Sequence, residues 1–296
     1  MTLTSTPPVG LDAAYDRCAA IVAAEARNFA HGIRLLRRPE RRALSAIYAL
    51  ARRIDDIGDG DLPADRKRAE LAAVRAAVAA VRETGRPPDP TDPVLVALAD
   101  VVRAHPVPLD AVDELIDGCA RDVEGARYAT FGELVEYCRL VAGSVGRLSL
   151  GVFGRARPAP AGEAERRADA LGIALQITNI LRDIVEDREE LGRVYLPDDD
   201  IARFGCRPDL TGPTDAVAAL VIFEAARARE WYGVGLGLLP LLDHRSRACV
   251  GAMAGIYRRL LARIEADPAA VLRTRVSLPP WEKAVVAGRA VVGRVP

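Results

Sequence analysis

Two segments of this chain carry a line of carboxylates along helices that are otherwise apolar, and that pairing limits the fold more than any other feature. Residues 41–59 read RRALSAIYALARRIDDIGD. At 3.6 residues per turn, Tyr48, Arg52, Asp55 and Asp59 fall within roughly 60° of one another. Alanines, leucines and isoleucines from Ala43 to Ile57 fill the rest of the wheel. A helix that is apolar nearly all round is buried. Unpaired carboxylates in a dry core are very costly, so this stripe must face something polar. Residues 171–187, LGIALQITNILRDIVED, repeat the arrangement. There Gln176, Asn179, Asp183 and Asp187 fall within roughly 80°.

Around these two segments the chain reads as all-α. Alanine is abundant, β-branched runs are short and no alternating pattern persists. Proline and glycine cut the sequence into helices expected near 11–30, 40–59, 64–84, 92–104, 108–124, 130–153, 162–190, 214–236, 243–266 and 279–291. The breaks are short and rigid, as between helices of one bundle, so residues 1–296 are expected to form a single domain with its core at about 12–280. Gly143 and Gly146, inside a helical stretch, call for close packing or room for a ligand.

Composition removes several function classes. With 50% hydrophobic and 28% charged residues a large core is available and disorder is not the default. The 41 basic and 41 acidic residues cancel, so there is no global basic field and no nucleic-acid partner is expected. All the basic residues but Lys67 and Lys283 are arginine, which suits bidentate diphosphate binding, although a high-GC genome produces the same bias. Five scattered cysteines without a CxxC predict reduced thiols, a cytoplasmic location and no zinc site. Met1 to Asp12 has no signal-peptide pattern. The longest uncharged stretch, Trp231 to Leu242, falls short of the ~20 residues of a membrane span, and peripheral membrane contact stays open. His31, His105 and His244 are isolated, and GxSxG, HExxH, P-loop and strand-preceded GxGxxG motifs are absent.

Two carboxylates at i and i+4 can share one hard cation. Mg²⁺ takes oxygen ligands and binds through few carboxylates together with substrate phosphates. Two such pairs facing each other could hold a cluster of Mg²⁺ over a diphosphate and let a C–O bond ionise. Arg52 and Arg182 could grip the same oxygens. One acidic pair on a helix would be a weak sign, because solvated helix faces often carry one. Two pairs on apolar helices, each extended by amide, tyrosine or arginine at helical spacing, are far more specific.

With both stripes in place, the sequence resembles the squalene/phytoene synthase family of head-to-head prenyl transferases. The matching segments are NFAHGIRLL (28–36), YALARRIDDIGD (48–59), RYATFGELVEYCRLVAGSVG (127–146), LGIALQITNILRDIVED (171–187), GRVYLP (192–197) and RTRVSLP (273–279). The resemblance implies the isoprenoid synthase helical bundle with a central cavity between the acidic helices. It implies Mg²⁺ held by Asp55, Asp59, Asn179, Asp183 and Asp187. Asp56 completes the written DD pattern but lies off the stripe. Arg52, Arg182, Arg193 and Arg275 are implied as diphosphate contacts, and Tyr48, Tyr137, Gln176, Tyr195 and Tyr257 as polar cavity residues. Of these, Tyr137 and Tyr257 are implied to steer a carbocation or accept a proton. Phe29, Leu140, Val141, Val145, Leu148, Phe153 and Leu175 would wall the cavity, with Ala142, Gly143 and Gly146 leaving room for a long chain.

Several runs, among them RRIDDIGDG and YCRLVAGSVGRLSLGVFG, look most similar to bacterial presqualene diphosphate synthases of hopanoid pathways. That branch implies two farnesyl diphosphates as substrate, no NADPH and a downstream squalene-forming enzyme as partner. Alternatives are a phytoene synthase acting on geranylgeranyl diphosphate, an NADPH-dependent squalene synthase, and a non-catalytic scaffold of the same fold. Ala120-Arg121-Asp122 stands where phytoene-type relatives often carry Met-Asp, which loosens any inference of substrate length.

Overall fold

The computed structural model describes residues 8–26 and 28–293. The first seven residues of the stretch read above for a signal peptide lie outside that range. Among the described residues there is no strand, and the β-type pairing is one isolated bridge between Arg155 and Leu242. The helices are α1 (Leu11–Glu25), α2 (Phe29–Ile33), α3 (Arg38–Asp59), α4 (Ala64–Thr84), α5 (Pro93–Ala104), α6 (Asp110–Val123), α7 (Phe131–Cys138), α8 (Ser144–Leu150), α9 (Glu163–Arg182), α10 (Ile184–Glu189), α11 (Asp198–Arg203), α12 (Thr214–Gly235), α13 (His244–Ala266) and α14 (Pro280–Val291).

Local chemistry sets several of the ends. Asp92 caps α5 by accepting from the Val94 and Leu95 amides, with Pro93 at the first helical position. At α7 the Thr130 hydroxyl accepts from the Glu133 amide while the Glu133 carboxylate accepts from the Ala129 amide at 2.7 Å, a reciprocal cap. Asp243 caps α13 through the Ser246 amide.

Two cores form. One gathers α9, α12 and α13 around Ile177, Leu181, Leu220, Ile256 and Leu261. The other gathers α1, α3, α5 and α6 around Ile47, Leu50, Ile54, Leu98 and Leu115. Val141 touches both. Each acidic helix is thus the spine of a different core, and the site forms where their C-terminal ends meet.

The expected continuous helix over 130–153 is three pieces: α7, a π-helical turn over Arg139–Gly143, and α8. Here the backbone runs against α9. A Cβ on Gly172 would stand 2.6 Å from the Ala142 carbonyl oxygen, and one on Gly146 would stand 3.0 Å from that of Ala168. One on Gly143 would stand 2.6 Å from the Asp169 carboxylate. Gly143 and Gly146 therefore serve helix contact and do not make room for a substrate chain. Phe153 and Leu148 pack one into each core and Leu140 is equally buried, whereas Phe29, Val141, Val145 and Leu175 keep partial exposure. The expected helix over 11–30 is likewise split into α1 and α2, and α11 forms within a stretch read as a break.

A buried charge network ties α11 to α12. Glu224 is fully buried, takes one hydrogen bond from Arg227 at 2.8 Å and has a second oxygen without a partner. Arg227 also pairs with Asp200 at 2.5 Å and lies 4.1 Å from the Phe131 ring centre. Burial pushes the Glu224 carboxyl up to about 8 from an ordinary 4.5. The folded protein therefore holds this proton more tightly than the unfolded chain, so stability is greatest below about pH 4.5 and is lost as pH rises through about 8. A shift of this size corresponds to about 5 kcal/mol at most, or roughly 10 °C in melting temperature. Melting curves between pH 5 and 8.5 should show that decline, and Glu224→Gln should make it shallower, leaving the part that the raised carboxyls Asp55 and Asp187 contribute over the same range. Equal slopes for variant and parent would contradict the assignment.

Candidate active site

The two acidic sets sit at helix ends. Asp55 and Asp59 lie in the last two turns of α3. Asn179 lies near the end of α9, and Asp183 interrupts the helix at φ −104°, ψ 13° before α10 carries Asp187. The single helix expected over 162–190 is thus broken at its central acid. The spacing survives, because the Asp183 amide still donates to Asn179 at 2.9 Å and the Asp187 amide to Asp183 at 2.8 Å. The cause is visible in the side chains. Arg182 grips the Asp183 carboxylate through two nitrogens, and the Arg275 Nε approaches it at 2.9 Å. Arg275 also reaches Glu186 at 3.1 Å.

Arg193 joins the two sets. Its backbone amide donates to the Asp187 carbonyl at 2.8 Å, while its guanidinium meets Asp59 at 2.5 Å and the Gly58 carbonyl at 3.0 Å. The two acidic segments therefore stand no further apart than the length of one arginine. Beside them Asp122, at the end of α6, accepts from the Tyr137 hydroxyl at 2.8 Å and the Tyr195 hydroxyl at 3.0 Å. The two rings stack with centroids 5.4 Å apart. On the other side Tyr48 and Tyr257 flank Phe29 at 6.3 and 5.6 Å, and Arg182 donates to the Tyr257 hydroxyl.

The electrostatics show a surplus of negative charge. Burial, then the neighbouring Asp59, pushes Asp55 up to about 7. Burial, then Asp183, pushes Asp187 up to about 8. Asp122 is raised to about 6 by burial, even though Arg193 and both tyrosines favour its charged form. Two buried polar atoms lack partners: the Asn179 Oδ1, an acceptor suited to a cation, and the Arg52 Nε, a donor suited to an anion. Raised acids beside an orphaned carbonyl are oxygen donors of the kind that suits a hard cation such as magnesium, although among the described residues no three acids already converge as a metal-ligating group. Cys119, buried under the site, directs its thiol to Asp55 at 3.6 Å.

Arg52 is the expected residue that turns furthest aside. It pairs with Asp56 at 2.7 Å and lines a cleft of about 900 Å³ between α1, α3, α4 and the start of α5, on the flank of α3. Asp56 is exposed there, as its place off the stripe implies. Gln176 stays with the site, accepting from Asn179 at 3.4 Å.

The family model for squalene/phytoene synthases matches residues 22–282. The chain belongs to the squalene/phytoene synthase family. Among its relatives, the phytoene synthase of Mycobacterium tuberculosis is 47% identical over 291 residues, covering 96% of this chain and 93% of that protein. The 15-cis-phytoene synthase of Synechococcus elongatus is 35% identical, covering 92% and 91%. In structure the chain matches a dehydrosqualene synthase solved with a ligand, at TM-score 0.85 and 26% identity over 96% and 97% of the two chains. It also matches a squalene synthase of Alicyclobacillus acidocaldarius at TM-score 0.75 and 28% identity, over 88% and 96%. The protein is a prenyltransferase with the all-α isoprenoid synthase fold. No described helix is long and apolar enough to cross a membrane.

Asp122 is the site residue that the stripes did not reveal. The other acids of α6, Asp110, Asp113, Glu114 and Asp117, do not fall on its face, and only the fold brings two tyrosine hydroxyls to it. Asp122→Asn should lower kcat by roughly 10- to 100-fold, in the range for groups that hold others in place, with a smaller change in KM. An unchanged kcat would remove the residue from the site.

Proposed function

We propose that the chain catalyses the magnesium-dependent head-to-head condensation of two geranylgeranyl diphosphates to phytoene, acting as one domain. The observation that supports the chemistry is Arg193, whose guanidinium meets the Asp59 carboxylate while its backbone amide bonds the Asp187 carbonyl, so that one residue ties the two acidic segments together. The chain length follows the phytoene synthases that match more than nine-tenths of the sequence. Those relatives favour the C20 alternative over the presqualene diphosphate reading reached from the sequence.

Asp55, Asp59, Asn179, Asp183 and Asp187 are the residues that would hold the metal. Bound magnesium would neutralise the departing diphosphate so that its C–O bond can ionise. Arg182, Arg193 and Arg275 bind diphosphate oxygens, exchanging their present carboxylate partners for a more highly charged one, and Arg52 would join them by leaving Asp56 and swinging in from the flank of α3. The allylic cation left at C1 must be shielded from water. Phe29, Tyr48 and Tyr257 offer it aromatic faces, while Val141, Val145 and Leu175 exclude solvent. The C2=C3 double bond of the second substrate attacks C1, a proton leaves and a cyclopropylcarbinyl diphosphate forms. Tyr137, fixed by Asp122, and Tyr257 are placed to steer the cation or accept that proton. Loss of the second diphosphate and one further proton gives the hydrocarbon without a reductant, so the reading requires no NADPH.

A second reading, two farnesyl diphosphates condensed to presqualene diphosphate towards squalene and hopanoids, draws support from the dehydrosqualene and squalene synthases of like structure. Incubation with Mg²⁺ and either C15 or C20 diphosphate, with and without NADPH, separates them by mass spectrometry after dephosphorylation. Phytoene from the C20 substrate, lost on chelation, is the expected result. Presqualene alcohol from the C15 substrate alone would replace it with the second reading, squalene appearing only with NADPH would make the protein a reductive synthase, and no product from either would favour a scaffold.

A further inference from the structure

The outward face of α14 has no part in the site. Trp281 is 66% exposed and Val285 43%, and Val292, just past the end of the helix, is 70% exposed, so three large apolar side chains stand open along this one segment. On a helical wheel Trp281, Ala284, Val285 and Gly288 span roughly 100°, and Val292, just past the last turn, continues the same line. The opposite face, Glu282, Val286, Ala287 and Ala290, is buried against α13 and Leu35. The sole acid on this helix is out of reach of solvent, since Glu282 is held by Arg259 at 2.7 Å and Arg263 at 2.6 Å.

Basic residues rim the exposed stripe. Arg289 is exposed one turn from Val285 and Val292. α14 packs on α2, which carries His31 in its last turn and leads into the exposed Arg34. Arg37 and Arg38 follow α2 and are exposed. At the other end His244 bonds the Val291 carbonyl at 3.1 Å, and the adjacent Arg245 reaches back to the Leu35 carbonyl at 3.4 Å. Of the acids nearby, Asp243 caps α13, and Glu40 is only partly exposed, with one carboxylate oxygen shut away from solvent. In a chain whose total charge is zero, this edge is locally positive.

An exposed tryptophan and valines in one stripe, bordered by arginine, is the pattern of a helix lying in a lipid interface, with its aromatic at headgroup depth and its cations on anionic headgroups. We propose that the outer face of α14 is a membrane-docking surface, selective for bilayers containing anionic phospholipid. Its apolar stripe enters the interface while Arg34, Arg245 and Arg289 meet the headgroups. A protein partner would not by itself require cations on every side of the stripe.

Trp231 and Trp281 are the chain's two tryptophans, so a Trp231→Phe protein reports from α14 alone. Full-length protein should float with phosphatidylglycerol/phosphatidylcholine vesicles and bind pure phosphatidylcholine at least ten-fold more weakly, with added salt weakening the anionic binding. Trp281 emission should shift to the blue on binding. Trp281→Asp/Val285→Asp should lose at least ten-fold in binding while keeping its circular dichroism and its turnover of soluble substrate. Arg289→Glu should weaken anionic binding without touching the apolar stripe. Equal binding to both vesicle types, no binding to either, or full binding by the folded double variant would overturn the proposal. So would a concentration-dependent dimer, without vesicle binding, that the double variant dissociates, since the face would then belong to a second copy. Binding is read without any prenyl substrate, so its failure is separate from a failure of the proposed reaction.

Discussion

Asp55→Asn and Asp187→Asn should each cut turnover by at least about 10²–10³-fold, the range for removing one group that stabilises developing charge. In chelator at pH 8 both variants should nevertheless melt a few degrees above the parent. The reason is the same crowding that makes the site useful. Each carboxyl is buried beside another and held well above its ordinary range, Asp55 at about 7 and Asp187 at about 8, so the metal-free fold is destabilised by them. Asp183→Asn should behave differently. Its carboxylate neutralises Arg182 and Arg275, so removal leaves a nearly buried guanidinium without its partner, and both turnover and melting temperature should fall. Steady-state kinetics beside melting curves for the three variants tests this split. Undiminished turnover in Asp55→Asn and Asp187→Asn would remove the acids from catalysis, and a uniform loss of stability in all three would show that they are structural.

The second large effect is predicted at Gly172. A Cβ there would meet the Ala142 carbonyl carbon and the Gly143 nitrogen at 2.7 Å, both backbone atoms that cannot swing aside. Gly172→Val must push α9 off the π-helical turn, at a cost of about 3 kcal/mol or more, which lowers the melting temperature by roughly 6–10 °C. Because α9 carries Gln176, Asn179 and the link to Asp183, turnover should fall further than the melting temperature accounts for at the assay temperature. A valine variant within 2 °C of the parent, a margin of about 1 kcal/mol, would show that the helices do not meet as closely as described.

Much of this was readable in advance. The stripe of Asp55 and Asp59 on an apolar helix is a local pattern, and so is that of Asn179, Asp183 and Asp187. The period of 3.6 carried both, even through the break at Asp183, because the hydrogen bonds from the Asp183 and Asp187 amides persist. Glycine was harder. Gly143 and Gly146 announce a close approach, but whether a substrate or a neighbouring helix makes it depends on which surface lies opposite, and that surface is α9. Leu140, Leu148 and Phe153 are apolar at helical spacing, as both cavity walls and core residues are. Burial alone separated them.

Asp122 marks the limit most clearly. On α6 it has no acidic partner at helical spacing on its own face, and its role appears when Tyr137 and Tyr195, 15 and 73 residues away, deliver their hydroxyls to it. Substrate length behaves in the same way, since it depends on where side chains from several helices meet and no single segment encodes it.

The sequence alone determined that the chain is helical, that two of its helices expose acids from an apolar surround, and that it resembles the family to which it belongs. Each of these follows from residues close along the chain, where periodicity and the cost of burying charge act directly. The tertiary structure decided which carboxylates are paired and which stay uncompensated, that Arg193 spans the two sets, that the inner glycines serve packing, and that the outer face of α14 is left uncovered. Those outcomes depend on contacts between residues far apart in sequence, and such contacts exist only once the helices have packed.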